Sequence, residues 1–87
     1  MIPVAKRYNL SPAMQNVYDA VLDLWQAGEE AVYSERAIAL HCQKEFGYSE
    51  HETMRRLESL TMREVLRKVT RFGQDFFGPH SFEQGTP

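Results

Sequence analysis

The sequence has one cysteine, Cys42, among its 87 residues. No intramolecular disulfide can form, and a lone thiol is typical of proteins in a reducing intracellular compartment. Long apolar runs are also missing, and the first residues, MIPVAKRYNL, have the pattern of neither a signal peptide nor a membrane span. We therefore expect an intracellular protein, cytoplasmic and nucleoid-associated or nuclear, with no membrane partner.

The sequence motifs of common catalytic sites are missing too. It contains no nucleophile elbow, phosphate-binding loop or deaminase motif, and its acidic residues are spread over helices rather than paired. His41, Cys42 and His51 raise the question of a metal site, but adjacent helical residues point about 100° apart, and no CxxC or HxxxH spacing occurs. We predict a buried, inert thiol at Cys42 and a protein that is not an enzyme, with no metal and no cofactor.

Positive charge is scarce in total but concentrated in one segment. The chain has 10 Lys and Arg against 12 Asp and Glu. Residues 1–54 carry four basic and eight acidic side chains, whereas residues 55–71 carry six basic and two acidic ones. The six are Arg55, Arg56, Arg63, Arg67, Lys68 and Arg71. A local basic surface is the usual footprint of a phosphate-binding protein, although a helical protein can also segregate charge by chance.

Helix signals divide most of the chain into three helices. Ser11-Pro12 is typical of a helix start, and an apolar stripe from Met14 to Trp25 has helical spacing up to Gly28. Ser34 is a candidate cap for a second helix that ends at Gly47. Ser49 and Glu52 form the S-x-x-E pattern of a capping box, which predicts a third helix from Glu50. On this helix Met54, Leu57, Leu60 and Thr61 are expected to face the core.

Residues 62–77 permit two interpretations. Met62, Val65, Leu66 and Val69 keep a helical step, so the third helix could continue to Phe72 and give an all-α bundle. Alternatively, residues 65–70 form a strand, 71–75 a loop around Gly73, and Phe76-Phe77 a returning strand. The β-branched valines and the glycine favour the hairpin. We expect a leader over residues 1–10, one domain over 11–77 and a flexible tail over 78–87.

Three helices followed by a hairpin resemble the winged helix-turn-helix superfamily of DNA-binding domains. Ile38-Ala39 matches the position where its second helix packs on the first, and Gly47-Tyr48-Ser49 resembles its turn. Leu57-x-x-Leu60 followed by Val65-Leu66 is similar to the end of its recognition helix and the start of its wing. Two features depart from the pattern of the superfamily. Ala39 and Gly47 are eight residues apart, a wider spacing than in its compact members, and Glu64 stands where a glycine is common.

The resemblance implies a mainly α fold with a small β-hairpin and a function in binding double-stranded DNA. The implied nucleic-acid-binding residues are Ser49, His51, Glu52, Arg55 and Arg56 on the third helix, and Arg67, Lys68 and Arg71 on the wing. Arg55 could read guanine, and the wing cations could contact phosphates or a minor groove. Glu50 and Glu52 repel a phosphate backbone, although capping the helix explains both.

The hypothesis from sequence is a small transcription regulator or another genome-associated factor. A domain of this size covers few base pairs, so we expect specific DNA binding to need a homodimer. Tyr18 and Trp25 on the first helix, or the leader, are candidate dimer contacts. The alternative role of both aromatic side chains is packing in the core. The competing hypotheses are a winged-helix module that binds a protein partner, for which the acidic balance is no handicap, and a phage- or plasmid-type inhibitor without nucleic-acid contact.

Overall fold

The computed structural model describes residues 2–3, 10–28, 30–80 and 82–83 of the chain. In chain order the elements are β1 (Ile2–Pro3), α1 (Pro12–Ala27), β2 (Tyr33–Ser34), α2 (Glu35–Phe46), α3 (Glu50–Met62), β3 (Leu66–Arg71), β4 (Gln74–Pro79) and β5 (Phe82–Glu83). This described part contains three helices and a three-stranded antiparallel sheet, with β1 and β5 as a separate pair. None of its helices is long and apolar enough to cross a membrane.

The helix boundaries follow local capping chemistry. The side-chain oxygen of Ser11 accepts a hydrogen bond from the Met14 backbone N–H at 3.2 Å, and that of Ser34 accepts one from Ala37 at 3.1 Å. Helix α2 ends at Gly47, whose φ of 76° is the left-handed conformation that glycine adopts without steric penalty. The predicted starts of the first two helices and the predicted end of the second are confirmed.

The core lies between the three helices and the inner face of the sheet. Its fully buried side chains come from every layer: Val17 and Val21 on α1, Ile38 and Cys42 on α2, Leu57 and Leu60 on α3, and Leu66 and Phe77 on the hairpin. The prediction of a buried thiol at Cys42 is confirmed. On α3 the core face is rotated slightly from the expected one, because Thr53 is fully buried whereas Met54 and Thr61 are only half-buried.

Strand β2 is not predicted from the sequence, in which Tyr33 ends a short link and Ser34 is a candidate helix cap. Strand β4 occupies the middle of the sheet, with β2 on one side and β3 on the other. Tyr33 pairs with Phe77, and Ser34 pairs with Phe76. At the next position Gly78 passes so close to the Ala31 carbonyl that a Cβ there would lie 2.2 Å from its oxygen, which explains glycine at this point.

The alternative of a long third helix is wrong, because α3 stops at Met62 with a Schellman motif. The Val65 N–H donates to the Leu60 carbonyl and the Glu64 N–H donates to the Thr61 carbonyl, both at 3.0 Å. Glu64 has a φ of 61°. The position where the superfamily often has glycine therefore adopts the backbone conformation that favours glycine, although the residue is glutamate.

The hairpin is longer and its loop shorter than predicted. Strand β3 runs to Arg71, β4 begins at Gln74, and only Phe72 and Gly73 lie between them. The expected loop over 71–75 is thus wrong at both ends, because backbone pairing continues to Arg71 and Gln74. Strand β4 also continues through buried Gly78 and Pro79, so the ordered domain extends past the expected boundary at residue 77.

Both predicted terminal segments are partly outside the described residues. Within the expected leader and tail, Ile2 pairs with Glu83 and Pro3 pairs with Phe82 in antiparallel register. These two segments therefore include paired strands, which the sequence did not predict. The His80 N–H also donates to the Val65 carbonyl at 3.1 Å, which ties the chain after β4 to the start of β3. Flexibility of the tail stays a prediction.

Candidate nucleic-acid interface

Helix α3 begins with the capping box that its sequence predicts. The Ser49 side-chain oxygen accepts from the Glu52 backbone N–H at 3.1 Å, and a Glu52 carboxylate oxygen accepts from the Ser49 backbone N–H at 2.8 Å. These hydrogen bonds lower the pKa of the Glu52 carboxyl, so it is ionised at neutral pH. Glu52 thus has a structural role, and Ser49 retains only its hydroxyl proton for donation to a ligand.

The predicted contact residues of α3 differ in exposure. His51, Glu52 and Arg55 are exposed. Arg56 is half-buried, and its guanidinium carbon lies 4.8 Å from the centre of the Tyr48 ring. One terminal nitrogen of Arg56 is shielded from solvent and has no hydrogen-bond partner among the described residues. Arg56 therefore packs against the corner between α2 and α3, and of the two arginines only Arg55 is exposed.

Arg55 and Arg56 border a groove between α3 and the start of α1. This groove has a volume of about 330 Å³ and is lined by Ser11, Met14, Glu52, Arg55, Arg56 and Ser59. The first turn of α1 contains no acidic residue, so its N-terminal dipole adds positive potential to that of the two arginines. Glu52 offsets part of this potential. Two arginines and the N-terminus of α1 thus face a single carboxylate at this groove.

The three predicted cations of the hairpin are exposed but do not share one face. Lys68 is opposite buried Phe77 in the register, so it lies on the sheet face that packs toward the helices. Arg67 and Arg71 lie on the opposite, outer face because side chains alternate along a strand. Within the described part of the chain, no carboxylate lies within ion-pair distance of Arg55, Arg67, Lys68 or Arg71.

An acidic groove lies between the starts of α2 and α3 and the hairpin turn. It has a volume of about 410 Å³ and is lined by Ser34, Glu35, Arg36, Glu50, Gly73, Gln74 and Asp75. Burial raises the pKa of the Glu35 carboxyl, and the nearby charges of Asp75, Glu50 and Glu58 raise it further, while Lys68 lowers it. The hairpin turn and the first residue of α3 thus line the same groove, and most of the charged side chains in this groove are acidic.

Sequence reasoning missed this acidic groove and the most exposed apolar residue of the hairpin. Glu35, Glu50 and Asp75 come from three elements that are far apart in the chain, so no local pattern indicates that they are close. Phe72 is fully exposed at the hairpin turn. Its exposure depends on a two-residue turn, which the sequence does not specify because Phe-Gly is not a typical turn pair.

The remaining candidate residues are the dimer contacts on α1 and the residues considered for a metal site. Tyr18, a candidate dimer contact, is buried in the core, and Trp25 is half-buried. Burial raises the pKa of the Cys42 thiol, which lies beside Thr53 and away from solvent. No group of three or more His, Cys, Asp or Glu side chains among the described residues could hold a metal ion. His41 instead lies 3.5 Å from an Asp23 oxygen.

Comparison with known proteins gave no match to a protein family, to a curated protein or to a solved structure.

Proposed function

We propose that this protein is a winged helix-turn-helix domain that binds double-stranded DNA, with α3 as its recognition helix and the β3–β4 hairpin as its wing. The element order supports this reading: helix, short strand, two helices and a hairpin, with the short strand paired to the second hairpin strand. In this arrangement the exposed turns of α3 enter a major groove, while the wing follows the neighbouring backbone or minor groove.

The observation that carries the proposal is the set of exposed cations on α3 and the wing. The chain has more acids than bases, yet Arg55, Arg67, Lys68 and Arg71 are exposed, and no carboxylate of the described residues lies within ion-pair distance of them. Lys68 and Arg55 still interact electrostatically with Glu35 and Glu52, so Arg67 and Arg71 are the cations most available for phosphates. Side chains of this kind are available for phosphates and base edges. Arg55 has the fork of donors that suits guanine, and His51 lies one turn earlier on the exposed side of the same helix.

In the proposed complex, Arg67 and Arg71 contact phosphates from the outer face of the wing. The arginine-lined groove at the start of α1 provides a further phosphate contact through Arg55, with Arg56 held in place by Tyr48. The acidic groove lies beside the wing turn, so repulsion from Glu50 and Asp75 weakens binding to the phosphate backbone of any duplex. The regulatory role that we propose follows from sequence-selective binding, and a homodimer would extend the site.

A fluorescence-anisotropy titration with duplex DNA at low and moderate salt tests this function. The affinity should fall steeply with salt, and Arg71→Gln should reduce the slope of log affinity against log salt by about 1. Arg55→Gln should weaken binding to a preferred sequence about tenfold. Lys44→Gln, an exposed cation near the end of α2, makes the same charge change and should have little effect. Absence of binding to every duplex at low salt would refute the proposal.

A protein-docking module is the second candidate, and the acidic groove is the observation that favours it. Glu35, Glu50 and Asp75 line a concave surface with Arg36 as its single basic residue. A basic segment of a partner protein would complement this surface, whereas a DNA backbone would not. If no duplex binds, a Lys- and Arg-rich peptide should bind at this groove, and Glu50→Gln should weaken that binding.

A further inference from the structure

The hairpin turn presents an aromatic side chain in a conformation that such residues rarely adopt. Phe72 has a φ of 53° and Gly73 a φ of 75°, and these two residues connect a fully paired antiparallel ladder. Two-residue turns with positive φ at both positions typically use Asn-Gly or Asp-Gly, since a bulky residue is strained there. Phe72 nevertheless occupies the first position, and its side chain is fully exposed.

Phe72 has polar and charged neighbours rather than apolar ones, and the residues that follow it, Gly73, Gln74 and Asp75, line the acidic groove. Arg71 precedes it at the end of β3, and Arg71 lies opposite Gln74 in the register. Asp75, the one acid of the hairpin, accepts a hydrogen bond from the Thr70 hydroxyl at 2.8 Å, on the face away from Arg71. An aromatic that anchors a protein interface normally has a rim of neighbouring contact residues around it. A single aromatic beside an arginine on a narrow hairpin suits a nucleic-acid groove better.

We propose that Phe72 is an apolar wedge that enters the minor groove of DNA and partly unstacks one base step, and this inference rests on the DNA-binding function proposed above. Arg71 and Arg67 hold the flanking backbone while the ring contacts the opened step. Architectural proteins insert apolar side chains into the minor groove in this way. The protein should therefore favour steps that unstack easily, such as TA, over stiff steps at the position of the wing.

Phe72→Asn provides a clean test because asparagine tolerates the left-handed conformation, so the hairpin keeps its fold. Affinity and 2-aminopurine fluorescence would be measured on two duplexes of equal length, with a TA step or a GC step next to the probe. The wild type should prefer the TA duplex and increase the fluorescence of its probe. Phe72→Asn should bind the TA duplex roughly tenfold more weakly, without the fluorescence increase and with unchanged salt dependence.

Met62→Gln serves as the matched control, since Met62 is 86% exposed at the end of α3 and the change also removes an exposed apolar side chain. It should leave affinity and fluorescence unchanged. If the wild type binds both duplexes and Phe72→Asn behaves like it, the wedge is refuted while the DNA-binding function stands. If the wild type binds neither duplex at low salt, both proposals fail, and Phe72 would instead be a candidate contact for a protein partner.

Discussion

The Arg56 guanidinium lies over the ring of Tyr48, 4.8 Å from its centre. The Tyr48 hydroxyl oxygen in turn accepts a hydrogen bond from the Asn16 side-chain amide at 3.0 Å. A side chain of α3 is thus connected through the corner to α1. The two adjacent arginines of α3 therefore differ in their contacts: Arg56 links α3 to the rest of the domain, and Arg55 is exposed and can contact a ligand.

This division of roles predicts different effects of two neighbouring substitutions. Arg56→Ala should lower the free energy of unfolding by about 1–2 kcal/mol, because it removes the cation–π contact and the packing of the alkyl stem. Arg55→Ala should change it by less than about 0.5 kcal/mol, because Arg55 is exposed and makes no ion pair with the residues that the structure describes. Urea unfolding of both variants measures the difference. Equal effects of the two substitutions would contradict the assignment.

The end of α3 predicts a stabilising substitution. Glu64 has a φ of 61°, which strains a residue with a side chain. Glu64→Gly should raise the free energy of unfolding by about 0.5–1 kcal/mol, since relief of strain exceeds the added entropy of the unfolded chain. Glu64→Ala is the control, because it removes the same charge but keeps a Cβ. A gain in the alanine variant as large as in the glycine variant would show that charge, and not backbone strain, is responsible.

These two positions illustrate which parts of the fold can be predicted from sequence. Helix caps depend on residues three or four positions apart, so they can be recognised in the sequence. The caps recognised in this way are Ser11, Ser34, Gly47 and the Ser49–Glu52 capping box. Strand β2 depends on pairing with β4, and two residues carry too little pattern to reveal it. The sequence does not fix the end of α3, because glutamate at position 64 is not typical of the left-handed backbone conformation that this residue adopts.

The candidate site was predictable only in part, for the same reason. Concentrated charge in residues 55–71 identified the cations, and helical spacing placed His51 and Arg55 on the outside. The positions of these side chains relative to one another depend on tertiary contacts, which the sequence does not reveal. The strand register put Lys68 on the face away from Arg67 and Arg71, and the ring of Tyr48 held Arg56 back from solvent.

The acidic groove predicts a pH-dependent stability. Because burial and neighbouring carboxylates raise the pKa of Glu35 in the folded state, the folded protein holds this proton more tightly than the unfolded chain does. The contribution of Glu35 to the free energy of unfolding therefore decreases as the pH rises. The decrease occurs between the pKa of this group in the unfolded chain and its higher pKa in the folded protein. The resulting loss of stability is fully present at neutral pH and absent in more acidic solution.

Glu35→Gln should therefore be more stable than the wild type at pH 7, and the difference should shrink as the pH is lowered below the ordinary range of a glutamate pKa. Chemical unfolding at a series of pH values measures this difference. Glu30→Gln removes a carboxylate at an exposed loop position and serves as the control. A pH-dependent gain as large as that of Glu35→Gln would show that total charge, and not the groove, is responsible. A variant that is less stable than the wild type at pH 7 and equal to it in acid would reverse the sign and refute the argument.

The same groove predicts an increase in DNA affinity when its charge is reduced. Glu50 lies at the start of α3 and lines the groove together with the hairpin turn. Glu50→Gln should tighten binding to duplex DNA by about twofold to fivefold at low salt, because it removes repulsion from phosphates. Glu45→Gln makes the same charge change on exposed α2, outside this groove. If both variants bind equally, Glu50 does not lie near the bound DNA.

An amide chemical-shift titration of the isotope-labelled protein with a short DNA duplex at low salt tests most directly whether α3 and the hairpin bind DNA. If α3 and the wing bind DNA, the largest changes will map to the exposed turns of α3 around His51 and Arg55 and to the hairpin turn from Arg71 to Gln74. The exposed side of α2 around Leu40 will be unaffected. No change at any duplex concentration, or changes confined to the Leu40 side, would contradict the account.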